Sequence, residues 1–218
     1  DNTIYINMFI SNEATLALDS GQVNLDLKAH YPDKEKIELR VSPEKAKQSF
    51  RLAIRKPHYV PSFTISINNE DVTYQEDKGY IFIERCWDRK DQITINYPLP
   101  FRFIYANPKV RDDAHRVALM KGPRVYCLEE IDNGDYLANL KVNPKQDVRI
   151  IEGKGILEGI SLAGLKAKSI SLTEGTSDKL YYDSSDAFSV EDKDITLVPY
   201  ASWNNRAEGE MLVWMAED

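Results

Sequence analysis

The chain has 218 residues, 42% of them hydrophobic and 29% charged, which suits one large domain or two small ones with an ordinary soluble surface. A formal charge of -7 argues against nucleic acid as a partner, and no apolar run approaches the ~18 residues that would make a membrane a partner. Two cysteines, Cys86 and Cys127, are too few for a disulfide scaffold and lack the spacing of a complete zinc site, so both are expected to be reduced.

The first residue is Asp1, not Met, and Thr3 to Ile10 reads as a strand already under way, as in a piece cut from a longer protein. No basic-then-apolar leader is visible, and the expected location is cytoplasmic. Period-two alternation follows in Val23–Leu27, Ile37–Val41, Phe50–Ile54, Phe63–Ile67, Tyr80–Ile83 and Ile93–Tyr97. Each segment places apolar side chains on one face and polar ones on the other, as half-buried antiparallel strands require. Polar tetrads at Asn68–Asp71 and Asp88–Asp91 are suited to reversing the chain. Glu44 to Gln48, after Pro43, is the one place where a helical turn is expected. Pro98 and Pro100 stiffen the chain near a boundary, and the junction is placed at Asn107–Pro108 so that Arg102–Tyr105 can finish the first domain.

Beyond the junction, Arg116–Met120 and Val125–Glu129 flank a Gly122-Pro123 turn. Asp147–Glu152, Ser169–Leu172, Ile195–Tyr200 and Met211–Met215 are further strands, and Thr173–Asp178 is expected to be a mobile loop. Both faces of Met211–Met215 are apolar, so that strand should be covered on both sides. The fold class is therefore all-β with almost no helix, built as two consecutive antiparallel β-sandwiches of the Ig or jelly-roll kind, at 1–107 and 108–218.

Candidate functional residues cluster near the end. Tyr200, Trp203, Asn204 and Arg206 lie within about one hairpin's length, and Trp87 ends an earlier strand. Exposed rings stack on sugar C–H faces, whereas buried rings fill a core or a domain contact. Arg206 beside Asn204 and Asn205 is polar enough to rim such an interface. Glu129-Glu130 is a poor glycosidase pair, because neighbours on a strand point to opposite faces. His30, His58 and His115 are too scattered for a metal site. No catalytic, cofactor-binding or metal-ligating residue is assigned.

Asn107-Pro108-Lys109-Val110-Arg111, the run Arg116 to Glu130 with Gly-Pro-x-Val-Tyr-Cys-Leu-Glu-Glu, the Tyr-x-x-Trp-Asn-Asn-Arg element at Tyr200–Arg206 and Gly209 to Trp214 together resemble the C-terminal part of the β-L-arabinofuranosidase family, glycoside hydrolase family 127. Ile4 to Ile10 resembles the strand that leaves the catalytic domain there. The resemblance covers essentially the whole chain. It implies a parent glycosidase acting on terminal β-L-arabinofuranosyl or related sugars of plant-type or other glycans. It also implies an upstream (α/α)6 barrel carrying a cysteine nucleophile and a zinc site of glutamate and cysteines. That motif is not in this chain, so no cofactor is assigned to the segment and zinc to the absent catalytic domain. The segment alone is expected to be non-catalytic. Its first domain would pack on the barrel and its second serve dimerisation. The competing readings are a carbohydrate-binding module using exposed aromatics and an adhesive β-domain with no ligand.

Overall fold

The computed structural model describes residues 2–172, 180–183 and 188–218; the expected loop at Thr173–Asp178 lies outside them. The chain divides into two compact units, Asp1–Pro100 and Phe101–Asp218. The break falls upstream of the expected Asn107–Pro108, because Phe101–Tyr105 ladders onto a strand of the second unit, with Phe101 opposite Lys121 and Tyr105 opposite Val117.

The first unit contains β1 (Thr3–Ile6), β2 (Ile10–Leu18), β3 (Gly21–His30), β4 (Lys36–Pro43), β5 (Gln48–Arg55), β6 (Thr64–Ile67), β7 (Glu70–Asp71), β8 (Gln75–Asp77), β9 (Tyr80–Trp87) and β10 (Asp91–Asn96). They form a four-stranded sheet in the order β1-β5-β9-β8 and a six-stranded sheet in the order β2-β3-β4-β10-β6-β7. One apolar core lies between them, with Leu52, Ile54, Ile81 and Ile83 from the first sheet and Leu25, Leu39, Ile65 and Ile93 from the second. Each such side chain fully buried contributes about 1.5–3 kcal/mol. The expected strand from Thr3 to Ile10 is broken at Asn7–Phe9, where the chain crosses from one sheet to the other. Glu44 to Lys47 is a bend and turn, not a helix, and Gln48 already opens β5; the Glu44 N–H bonds the Gln22 carbonyl, which extends the β-ladder instead.

The second unit contains β11 (Phe101–Tyr105), β12 (Arg116–Lys121), β13 (Arg124–Glu129), α1 (Glu130–Asn133), β14 (Leu140–Val142), β15 (Arg149–Glu152), β16 (Ser161–Leu172), β17 (Phe188–Pro199), β18 (Met211–Leu212) and β19 (Met215–Glu217). It is not a second pair of facing sheets. Pairings run β12-β19-β14-β16-β17-β13 and return to β12, so six strands close a barrel-like circuit. Every strand of that circuit sends residues to one core, among them Val117, Leu119, Val142, Leu165, Leu197, Tyr126 and Met215. Closure removes the free edges that an open sheet would expose. The β12–β13 hairpin turns where predicted, with Gly122 at φ 55, a conformation that favours glycine. Met211–Met215 is two strands and not one. The ladder breaks at Val213–Trp214, β18 pairing with β13 and β19 with β12 and β14. Single-strand alternation therefore does not decide what covers this stretch.

Candidate functional site

The terminal segment takes its shape from local chemistry as well as from long-range contacts. Pro199 ends β17, and a single 3-10 turn, Tyr200–Ser202, follows, closed by the Trp203 N–H on the Tyr200 carbonyl. Asn204 then adopts φ 61, a left-handed conformation that asparagine tolerates better than most residues. This reversal aims the Asn204 N–H at Glu129 Oε1, 3.1 Å away, and brings Arg206 over the end of β13. Tyr200 and Trp203 stack with centroids 5.7 Å apart and planes at 29°. Both remain accessible, at 47% and 37%.

Arg206 joins two carboxylates that the sequence left apart. Its guanidinium donates to Glu129 Oε2 and, in bidentate fashion, to Asp132 Oδ1 at 2.7 Å and Oδ2 at 2.5 Å. Glu129 is only 3% exposed, and a carboxylate so far from water must be paired and hydrogen-bonded to remain charged. Here one oxygen takes the Asn204 N–H and the other takes Arg206. The Asp132 hydrogen bond raises the Arg206 pKa most; burial opposes the rise and Glu129 adds to it, so the guanidinium stays charged.

The floor beneath this ion cluster is polar and fully used. Asn133, 2% exposed, donates from Nδ2 to the Glu129 and Thr196 carbonyls, each at 2.9 Å, while its Oδ1 accepts the Thr196 N–H at 2.9 Å. The segment's far end is held by the Glu130 N–H donating to the Glu210 carbonyl at 3.0 Å and by Glu130 Oε2 accepting the Glu210 N–H at 2.7 Å. A Cβ on Gly209 would stand 3.0 Å from that of Glu130, tighter than ordinary contact, so a larger residue here would push the Glu130 side chain by a few tenths of an ångström. Cys127, just before the acidic run, is buried, and burial together with the Glu129 charge pushes its thiol up to about 12. It is a core group, not a reactive one.

Trp87 requires a correction. As a sugar platform it would have to be exposed, yet it is 0% exposed. The register of β5 on β9 sets it opposite Gln48; its ring stacks on Phe50 at 5.5 Å, and its Nε1–H bonds the Phe50 carbonyl at 2.9 Å. Tyr200, Trp203, Asn204 and Arg206 are brought together as one segment, in the unit that does not contain Trp87. The partners that sequence reasoning missed are Asp132 and Asn133. Their only signal was an acidic run ending in a strand, with the matching arginine 74 residues away from Asp132.

Among the described residues, no three His, Cys, Asp or Glu side chains converge as a metal would need, and Cys86 and Cys127 stand in different units. The described residues do not fit a zinc site.

Comparison with known proteins gives the same result in each form. Residues 3–99 match the family model described as β-L-arabinofuranosidase, GH127 middle domain, and residues 101–216 match the glycoside hydrolase family 127 C-terminal domain. A non-reducing end β-L-arabinofuranosidase of Bifidobacterium longum subsp. longum is 30% identical over 218 residues, covering 97% of this chain and 32% of that protein. The crystal structure of a GH127 β-L-arabinofuranosidase from Geobacillus stearothermophilus T6 aligns with a TM-score of 0.89 at 31% identity, over 100% of this chain and 34% of that one. A solved GH127 β-arabinofuranosidase aligns with a TM-score of 0.84 at 28% identity, over 100% and 35%. The chain thus spans about a third of the length of these relatives.

Proposed function

Because the chain belongs to glycoside hydrolase family 127 and matches its middle and C-terminal domains, we propose that it is the non-catalytic accessory region of an enzyme cleaving terminal β-L-arabinofuranosyl or related linkages. The observation that carries this reading is the state of its most suggestive carboxylates. Glycosidases that work with a carboxyl pair hold the two groups ~5–9.5 Å apart across the scissile bond, one of them able to give up a proton to the leaving group. Glu129 is buried with both oxygens occupied, and Asp132 holds the same guanidinium in bidentate fashion. Neither is left facing a sugar.

On this reading the first unit, two sheets about one core, is a sandwich that braces an N-terminal (α/α)6 barrel. The nucleophile and the zinc implied by the family resemblance belong to that barrel. The second unit supports assembly, including pairing of two copies. The test compares the 218-residue chain with the longer polypeptide on an aryl β-L-arabinofuranoside. Turnover is expected from the longer polypeptide alone. Comparable turnover by the 218-residue chain would overturn the proposal.

A second reading is favoured by one observation, the exposed Tyr200–Trp203 stack. Two accessible rings in contact suit the face of a sugar, so a carbohydrate-binding module is the alternative. If the 218-residue chain binds an arabino-oligosaccharide, and Trp203→Ala abolishes binding at an unchanged melting temperature, that alternative holds.

A further inference from the structure

Each sheet of the first unit has one outer edge whose short strand is charged, and at the opposite side the two sheets are joined by an apolar crossing. The outer strands β7 and β8 read Glu70-Asp71 and Gln75-Glu76-Asp77, all exposed. Charge of this kind blocks a free edge from pairing with another chain. At the opposite edges stand β1, Thr-Ile-Tyr-Ile with no charge, and β2, which opens on the apolar Ile10 and carries one charge, Glu13. Between them the crossing at Asn7–Phe9 leaves Tyr5 54%, Met8 67% and Ile10 59% exposed. Large apolar side chains clustered in this way mark a contact surface, not ordinary scatter.

Two cavities flank the crossing, and Asn7, Met8 and Ile10 line both. One, of about 430 Å³, opens between the sheets onto the core residues Leu25, Leu27 and Leu39. The other, of about 750 Å³, is walled by Tyr31, Tyr59 and Tyr80 and rimmed by Arg55, His58 and Lys78. Tyr31 lines it with its ring, while its hydroxyl is a buried oxygen without a hydrogen-bond partner. The core is thus open on one side, beside the uncharged β1 edge and an exposed apolar crossing.

We propose that this seam seats the upstream, catalytic part of the same polypeptide. The proposal rests on the accessory-region reading and says which surface does the bracing. The occupant follows from the comparison. The matching models are a middle and a C-terminal domain, about two thirds of each relative lies outside the match, and the match begins at residue 3, in β1. Upstream chain therefore arrives at this edge. The basic rim of Arg55 and Lys78 asks for an apolar surface flanked by acidic side chains.

The test is cysteine labelling in the longer polypeptide, read by peptide mass mapping, with Cys86→Ser as background. Met8→Cys and Ile10→Cys are compared with Glu70→Cys on the charged edge. All three positions are exposed in this chain, so each substitution should fold. In the longer polypeptide, a maleimide should react with the first two at least about tenfold more slowly than with the third, the factor that an opening free energy of about 1.4 kcal/mol gives. In the 218-residue chain the three rates should be alike. Equal rates in the longer polypeptide would overturn the proposal. So would protection lost on dilution, the sign of a second copy, or protection appearing only with added arabino-oligosaccharide. Equal rates beside an inactive 218-residue chain remove the docking surface and leave the accessory reading standing; an active 218-residue chain removes that reading by itself.

Discussion

In the first unit a neutral ring, Trp87, fills the core against Phe50 and gives its one donor to the Phe50 carbonyl. In the second, a cation, Arg206, sits between Glu129 and Asp132 with its side chain 15% exposed. Both are anchors, yet they work by opposite physics. Burying the ring is favourable on its own account, and its loss leaves a hole. Burying the ions is tolerable only while every partner is present, and the loss of one strands the others.

The sharpest contrast comes from truncating each anchor. Trp87→Ala should cost about 3–5 kcal/mol in equilibrium denaturation, and a smaller apolar replacement such as Trp87→Phe should recover part of it. Arg206→Met should cost about 3–5 kcal/mol, because Glu129 is left buried and unpaired. Adding Glu129→Gln to Arg206→Met should then restore stability, whereas no second polar change should rescue Trp87→Ala. If the double variant is as unstable as the sum of its single changes, the two residues are uncoupled and the comparison fails.

A pH titration sharpens it further. The Cys127 thiol is raised from its ordinary value near 9 to about 12, by burial first and the Glu129 charge second. A raised folded-state value means that the stabilisation is complete below pH 9 and is lost as pH rises towards 12, because the unfolded thiol ionises first. The alkaline limb of the stability curve should therefore flatten in Cys127→Ala. An unchanged limb would show that the thiol ionises as easily in the folded chain.

The smallest effect belongs to Trp203. Its ring is accessible and its stack on Tyr200 is of a kind worth about 0.5–1.5 kcal/mol, so Trp203→Ala should lower stability by no more than that. A loss as large as that of Trp87→Ala would mean that this ring is an anchor too.

Legibility differs between the two regions for the same reason. Strands such as β3, β4, β5, β9 and β10 were readable because alternation is a local signal. The β1–β2 break was not, since Asn7-Met8-Phe9 carries neither Gly nor Pro at the crossing. The barrel-like closure depends on pairs such as Val117 opposite Met215, which no periodicity encodes. Helix α1 is four residues long, too short to show a helical period. Trp87 could be read from sequence as a sugar platform or as a core ring; the β5–β9 register, which sets it opposite Gln48, and its stack on Phe50 decide for the core. Arg206 was visible as a candidate, but its role is set by carboxylates 74 and 77 residues away.

The central claim is that Glu129 and its arginine hold structure and do no chemistry. The direct measurement is kcat of the longer polypeptide carrying Glu129→Gln, on an aryl β-L-arabinofuranoside, scaled to the folded fraction and set beside the melting temperature. The account predicts an unchanged kcat per folded molecule and a lowered melting temperature. A fall in kcat of about 10²–10⁴-fold, the scale of a lost general acid or base, at an unaltered melting temperature would contradict it.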